Sequence, residues 1–245
     1  MKRSICISLF AAGLAACSSP EWREGRAAGA AASEWAATPA IVSVARSAQG
    51  VRIGGVTEAE ARVVLRAGDG AAYATGSDGD GRFSLNMPAP AIDTLFVVEG
   101  QRGETSVRAP YELLIGAAPG GPAALLADGA PTRRIDPSGP LDALDSDGRA
   151  LAASGRAGPG TEVRVRIDGR PTIVARAGPD GRWSAPLASS GAAPLTVTIN
   201  ERRYVYPGPG AATAPLLEPA GEGWRAVRRL GDASWQSSWL PRALP

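Results

Sequence analysis

Two stretches decide the fold: Gly160-Thr161-Glu162-Val163-Arg164-Val165-Arg166-Ile167 and Gly178-Pro179-Asp180-Gly181-Arg182-Trp183-Ser184. In the first, Val163, Val165 and Ile167 alternate with Arg164, Arg166 and Asp168. A period of two puts the apolar set on one face of a strand and the charged set on the other. In the second, Asp180-Gly181 is a tight-turn signal, because glycine accepts the positive φ that such turns require. Trp183, two places after the turn glycine, then points into a core. Leu195-Thr196-Val197-Thr198-Ile199 alternates in the same way, with residues that favour a pleated surface.

Working outward, both stretches have a counterpart 100 residues earlier. Arg62-Val63-Val64-Leu65-Arg66 aligns with Glu162 to Arg166, and Asp80-Gly81-Arg82-Phe83-Ser84 with Asp180 to Ser184. Gly55 aligns with Gly155, and Leu95 and Val97 align with Leu195 and Val197. The register holds without a gap from about Gly55 to Val98, the mark of a duplicated unit. Weaker echoes link Ala124-Leu125-Leu126 to Pro215-Leu216-Leu217, and Arg133-Arg134-Ile135 to Arg228-Arg229-Leu230. Short strands at this spacing, punctuated by Gly and Pro, predict an all-β protein of two tandem β-sandwich domains. The boundary falls near Asp136-Pro137-Ser138-Gly139-Pro140, giving domains at 40–136 and 137–245. The Ala/Gly/Pro-rich stretch Ile115 to Gly129 reads as a loop between late strands of the first domain.

The turn and strand motifs resemble those of bacterial Ig-like and carboxypeptidase-regulatory-like domains. Those families show a Pro-Gly-x-x-Val strand and an Asp-x-Gly-x-aromatic hairpin, and the resemblance spans about residues 40 to 240, judged by motif pattern. Gly223-Trp224-Arg225 with Gln236-Ser237 is similar to exported proteins of GC-rich bacteria. The resemblance implies seven-stranded sandwiches used as scaffolds or binding modules, and it carries over no catalytic residue.

The N-terminus has a different character. Met1-Lys2-Arg3-Ser4 is basic, Ile5 to Leu14 is apolar, and Leu14-Ala15-Ala16-Cys17 follows. The apolar run is too short for a permanent membrane span and has the layout of an export leader, residues 1–16. Leu14, Ala15, Ala16 and Cys17 resemble, position by position, the lipobox of bacterial lipoproteins. That resemblance implies cleavage before Cys17 and lipidation of its sulfur and of the new N-terminus. Multiple acyl chains give stable anchoring to a bilayer, whereas one is marginal. Ser18, rather than Asp, after the cysteine implies by the same analogy the outer membrane, facing the periplasm or the cell surface. Residues 17–39 read as a lipidated N-terminus and flexible tether, with a marginal helix over Ala27 to Ala37.

Composition narrows the chemistry. The chain has no histidine, only Lys2 as lysine, and only Cys6 and Cys17 as cysteines. Imidazole ligands, thiolate clusters, His-assisted nucleophiles and a Ser/Lys dyad are therefore excluded from the mature chain. Of 26 basic residues two lie in the leader, leaving 24 to balance 24 acidic ones. Without a basic excess, nucleic-acid binding is disfavoured. Asp78-Gly79-Asp80-Gly81 and Asp145-Ser146-Asp147-Gly148 resemble pieces of a calcium loop. However, the twelfth position from Asp78 is Ala89 rather than Glu, so both read as turns.

The expectation is thus a membrane-anchored, non-catalytic envelope scaffold, without cofactor or metal, that meets a protein partner or a glycan. Trp224, Trp235 and Trp239 form the candidate interaction surface, although a core role for these rings is the simpler reading. The alternative, a carbohydrate-binding module for peptidoglycan or surface glycan, requires a planar row of exposed aromatics such as Trp183, Trp224 and Trp239.

Overall fold

A computed structural model describes residues 37–189, 192–231 and 234–242. These residues belong to one compact unit. The described chain is all-β, with every strand pairing antiparallel and no helix among the described residues.

Nine strands precede the Pro/Gly cluster at 136–140: β1 (Ala40–Ser47), β2 (Gly50–Val56), β3 (Arg62–Ala67), β4 (Ala72–Gly76), β5 (Arg82–Met87), β6 (Thr94–Arg102), β7 (Thr105–Ile115), β8 (Ala123–Leu126) and β9 (Arg133–Arg134). Ten follow it: β10 (Leu141–Ser146), β11 (Leu151–Arg156), β12 (Glu162–Ile167), β13 (Ile173–Arg176), β14 (Arg182–Leu187), β15 (Leu195–Ile199), β16 (Arg202–Tyr206), β17 (Leu217–Ala220), β18 (Gly223–Arg229) and β19 (Trp235–Pro241).

The first nine strands form two sheets, ordered β1-β2-β5 and β4-β3-β6-β7-β8-β9. The last ten also form two, ordered β14-β11-β10-β19-β18-β17 and β13-β12-β15-β16. Adding nine to each label of β1 to β7 reproduces the neighbours of β10 to β16, so the sequence repeat is a repeat of seven strands. The match extends to single hydrogen bonds. Thr57 N–H donates to Gly81 O and Ala157 N–H to Gly181 O, both at 2.8 Å. Gly81 and Gly181 have φ of 75° and 74°. A β-bulge falls between Ile41 and Ser43 in β1 and between Leu141 and Ala143 in β10.

Gly55 lies opposite Phe83, and Gly155 opposite Trp183. A Cβ on either glycine would stand 2.3 or 2.0 Å from a backbone carbonyl oxygen and would also strike the ring across the ladder. Each ring therefore lies over a glycine and closes its core, with Phe83 and Trp183 both buried as their place after the turn predicts.

Three apolar cores separate the four sheets. The first lies between the β1-β2-β5 sheet and the sheet containing β6 and β7, and includes Ile53, Leu65, Phe83, Val98 and Leu113. The second lies between the last two sheets and includes Leu144, Val165, Trp183, Tyr206 and Trp239. The third joins Leu114, Ala124 and Leu126 to Ala143, Leu217, Ala226 and Leu240. Neighbours along one strand point into different cores: Leu113 and Leu114, Leu125 and Leu126, Trp239 and Leu240. The two six-stranded sheets are thus buried on both faces and pack on each other, giving a stack of four layers.

Two expectations change. The stretch Ile115 to Gly129 is not simply a loop, since it contains β8. Its Ala123–Leu126 run is apolar throughout because both faces are covered, so no alternation marks it in the sequence. The echoes of β8 and β9 in the C-terminal third are not structural equivalents either. The β8 strand extends a sheet beyond β7, whereas β17, β18 and β19 extend the opposite type of sheet beyond β10.

Candidate functional site

The polar groups with the most elaborate surroundings line the seam between the two six-stranded sheets. Asp145 lies on β10 opposite Ser238 of β19. One of its carboxylate oxygens accepts Thr132 Oγ1 and Ser238 Oγ, each at 2.6 Å, and the other accepts Thr132 N–H at 2.8 Å. Part of the residue reaches solvent, but Thr132 and Ser238 are buried. Burial pushes the Asp145 carboxyl above the ordinary carboxylate range, against the downward pull of these donors.

Asp142, only 1% exposed, occupies the bulge of β10. Its carboxylate accepts Ser138 Oγ at 2.8 Å, Arg156 Nε at 3.0 Å and Arg182 Nη1 at 3.0 Å. Arg156 also donates through Nη2 to Asp136 O at 2.8 Å, tying the 136–138 segment to β11. Burial lowers the Arg182 pKa; nearby Arg133 and Arg156 add to this and Asp142 opposes it. Arg134, 1% exposed, makes a forked pair with Asp136 at 2.6 and 2.5 Å and donates to Pro241 O at 2.8 Å. A buried guanidinium with this many partners is held in place, whereas loss of one partner strands the other. At the opposite rim, Arg228 bridges Glu112 and Asp128 of the first half at 3.4 and 2.7 Å.

A cleft of about 450 Å³ opens beside this network, lined by Thr132, Arg133, Asp142, Arg176, Arg182 and Ser184 among others. Its guanidinium groups suit binding of an oxyanion. Of the carboxylates lining the cleft, Asp142 has both oxygens taken by donors, and Asp180 accepts the Arg182 N–H through Oδ1. Among the described residues no group of three or more His, Cys, Asp or Glu gathers as a metal site would. In each of the two calcium-like stretches one carboxylate is spent on a turn. Asp78 Oδ1 accepts the N–H groups of Asp80 and Arg82, and Asp147 Oδ1 those of Arg149 and Ala150. The Asp147 bonds, that from Ala150 first, hold its carboxyl below the usual range.

Of the residues singled out in the sequence, Leu14, Ala15, Ala16 and Cys17 lie outside the described residues, as does most of the 27–37 helix. The three C-terminal tryptophans do not form one surface, which corrects the expectation drawn from the sequence. Trp239 is 1% exposed, donates Nε1–H to Ala220 O at 2.9 Å and meets Tyr206 edge to face. Trp224 lies opposite Leu240, one residue out of phase with Trp239, so it faces the third core while Trp239 faces the second. Arg242 caps the Trp224 ring 5.9 Å from its centroid. Trp235, half-buried, ends the β18–β19 ladder opposite Arg229. Nor is there a row of exposed rings at Trp183, Trp224 and Trp239, since Trp183 is 4% and Trp239 1% exposed.

Sequence reading passed over Asp142 and Arg156 and took Asp145 only as part of a turn, although comparison of the two copies marks all three. At the matching positions the first copy carries Val42, Ala45 and Val56. Charges that replace apolar residues in one copy of a repeat mark where that copy meets something polar. No family model matches the chain, and no curated protein matches it.

Proposed function

We propose that the protein is a non-catalytic envelope scaffold, anchored by acylated Cys17 to the outer membrane and facing the periplasm, with two tandem Ig-like units as its working part. The observation that carries this reading is the leader, a basic start and an apolar run ending in Leu14-Ala15-Ala16-Cys17. The twofold seven-strand arrangement supports the Ig-like assignment, because its 3+4 division is that of such sandwiches. A seam in which Asp142, Asp145, Arg134 and Arg156 are occupied by internal partners suits a spacer or adaptor better than a reaction vessel. The glycan-binding alternative needs an exposed aromatic row, and the burial of Trp183 and Trp239 counts against it.

The test is intact mass and membrane fractionation of the native protein beside Cys17→Ala. Acyl mass on the wild type, with a variant that stays unprocessed or leaves the membrane fraction, is the expected result. A wild type without acyl mass, as soluble as the variant, overturns the anchored reading.

A further inference from the structure

The two ends of the stack present outward sheet faces, and they differ. On the β13-β12-β15-β16 sheet, Arg164, Arg166, Arg176 and Arg203 share the outer face with Glu162 and Asp168, which lie 3.5 Å from Arg176 and 3.8 Å from Arg203. On the β1-β2-β5 sheet the outward positions are Val42, Ser43, Ala45 and Ser47, then Arg52, Gly54 and Val56, then Arg82, Ser84 and Asn86. No strand of that sheet carries a carboxylate. Val42 and Val56 are 61% and 44% exposed; among the described residues Val174 and Val205, on the outer face of the opposite sheet, are exposed as well. Val56 pairs with Ala40 on one side and Arg82 on the other, so Val42, Val56 and Arg82 cluster where the chain enters the first strand.

The second copy shows what this face can become. Its equivalent, the outer face of β10, β11 and β14, carries Asp142, Asp145 and Arg156 and lies at the seam against residues 132–138 and the neighbouring sheet. In the first copy Val42, Ala45 and Val56 stand in place of those three charges, and the face is open.

We propose that the outer face of the β1-β2-β5 sheet, through Val42, Val56, Arg82 and Arg52, rests on the anionic headgroup layer of the membrane in which Cys17 is anchored. The proposal rests on the anchored reading above. Guanidinium groups attract anionic lipid, and apolar side chains among them enter the interface. Two arginines would hold a free protein only weakly. An anchored one needs little attraction, because its tether keeps it at high effective concentration beside the surface. From Cys17 to Ala37 the chain spans at most about 70 Å, so the opposite end of the stack is also within reach. Proximity to the tether and the lack of carboxylates favour the first sheet.

After acylation of Cys17 the mature chain has no other thiol. A polarity-sensitive label on Ser84→Cys therefore reports the first face, and one on Val205→Cys, exposed on the opposite sheet, reports the other. Each acylated protein, its mass confirmed, is reconstituted in vesicles of phosphatidylcholine alone or mixed with phosphatidylglycerol. The expected result is a blue shift of the Ser84→Cys label in the mixed vesicles only, reversed by 1 M salt, where the screening length falls to about 3 Å. Adding Arg52→Gln and Arg82→Gln should lower the equilibrium constant for membrane apposition by roughly thirtyfold, while the Val205→Cys label stays unshifted. A shift at Val205→Cys instead, no shift at either site, or an equal shift in neutral vesicles overturns the proposal. Absence of acyl mass overturns the anchored reading separately, before any vesicle is made.

Discussion

The two halves of this protein share seven strands in the same order and differ in where they add to them. The first half adds β8 and β9 beyond β7, on its four-stranded sheet. The second adds β19, β18 and β17 beyond β10, on its three-stranded sheet. Both additions make six-stranded sheets, and these two sheets pack on each other. The difference teaches that the repeated part supplies most of each outer core, whereas the unrepeated part supplies most of the joint. The same division appears in single residues. Val42, Ala45 and Val56 of the first half leave a face open, and Asp142, Asp145 and Arg156 at the same places in the second are tied into the seam.

The sharpest way to break this comparison is to weaken the joint. Leu240, fully buried in the third core, should cost about 2–5 kcal/mol when changed to Ala, as other buried leucines do. If the joint makes the halves unfold together, native-state hydrogen exchange at Val98 and Val197 gives one common opening free energy in the wild type. In Leu240→Ala the two values should separate. Values already far apart in the wild type would show that the seam does not couple the halves.

A middle-sized effect tests the equivalence of the copies. Gly55→Ala and Gly155→Ala each drive a Cβ into a carbonyl oxygen and an aromatic ring, at about 1–3 kcal/mol by the usual cost of overpacking. Gly76, with open space around its Cβ position and no positive φ, is the control and should change stability by less than about 1 kcal/mol. Denaturant midpoints that differ widely between the two glycine variants would argue against a shared architecture.

The smallest effect concerns pH. Asp145 has its pKa raised by burial, so the folded state holds its proton more tightly than the unfolded state does. Its contribution is therefore fully present below the ordinary carboxylate range and is lost as pH rises through the raised value. Asp145→Asn removes that dependence and replaces an acceptor facing Thr132 N–H with a rotatable amide. The stability gap between wild type and variant should be widest near pH 4 and narrower near pH 8, read from paired thermal melts. A gap that widens with pH would reverse the assignment.

Much of this was legible in advance. The alternation of Val163, Val165 and Ile167, the Asp-Gly turns and the 100-residue offset identify strands, hairpins and duplication, because each is a local property of the backbone. The alignment of Gly55 with Gly155 and the inward place of Phe83 and Trp183 were legible from the same repeat; that each glycine lies under its ring was not. The joint was not legible. Leu113-Leu114-Ile115 and Ala123–Leu126 lack a period, since sheets covered on both faces have none. Nothing local could say that Trp239 faces the second core and Trp224 the third.

By itself, then, the sequence determined the β class, the repeat, the hairpin turns, the absence of histidine and the confinement of lysine to position 2. These depend on side-chain type and on periods of two, which act over a few residues. Only the tertiary structure decided which sheets gained strands, which tryptophans were buried and on which side, and which carboxylates met arginines across the seam. Those depend on what covers each face, and the covering segments come from strands up to a hundred residues away.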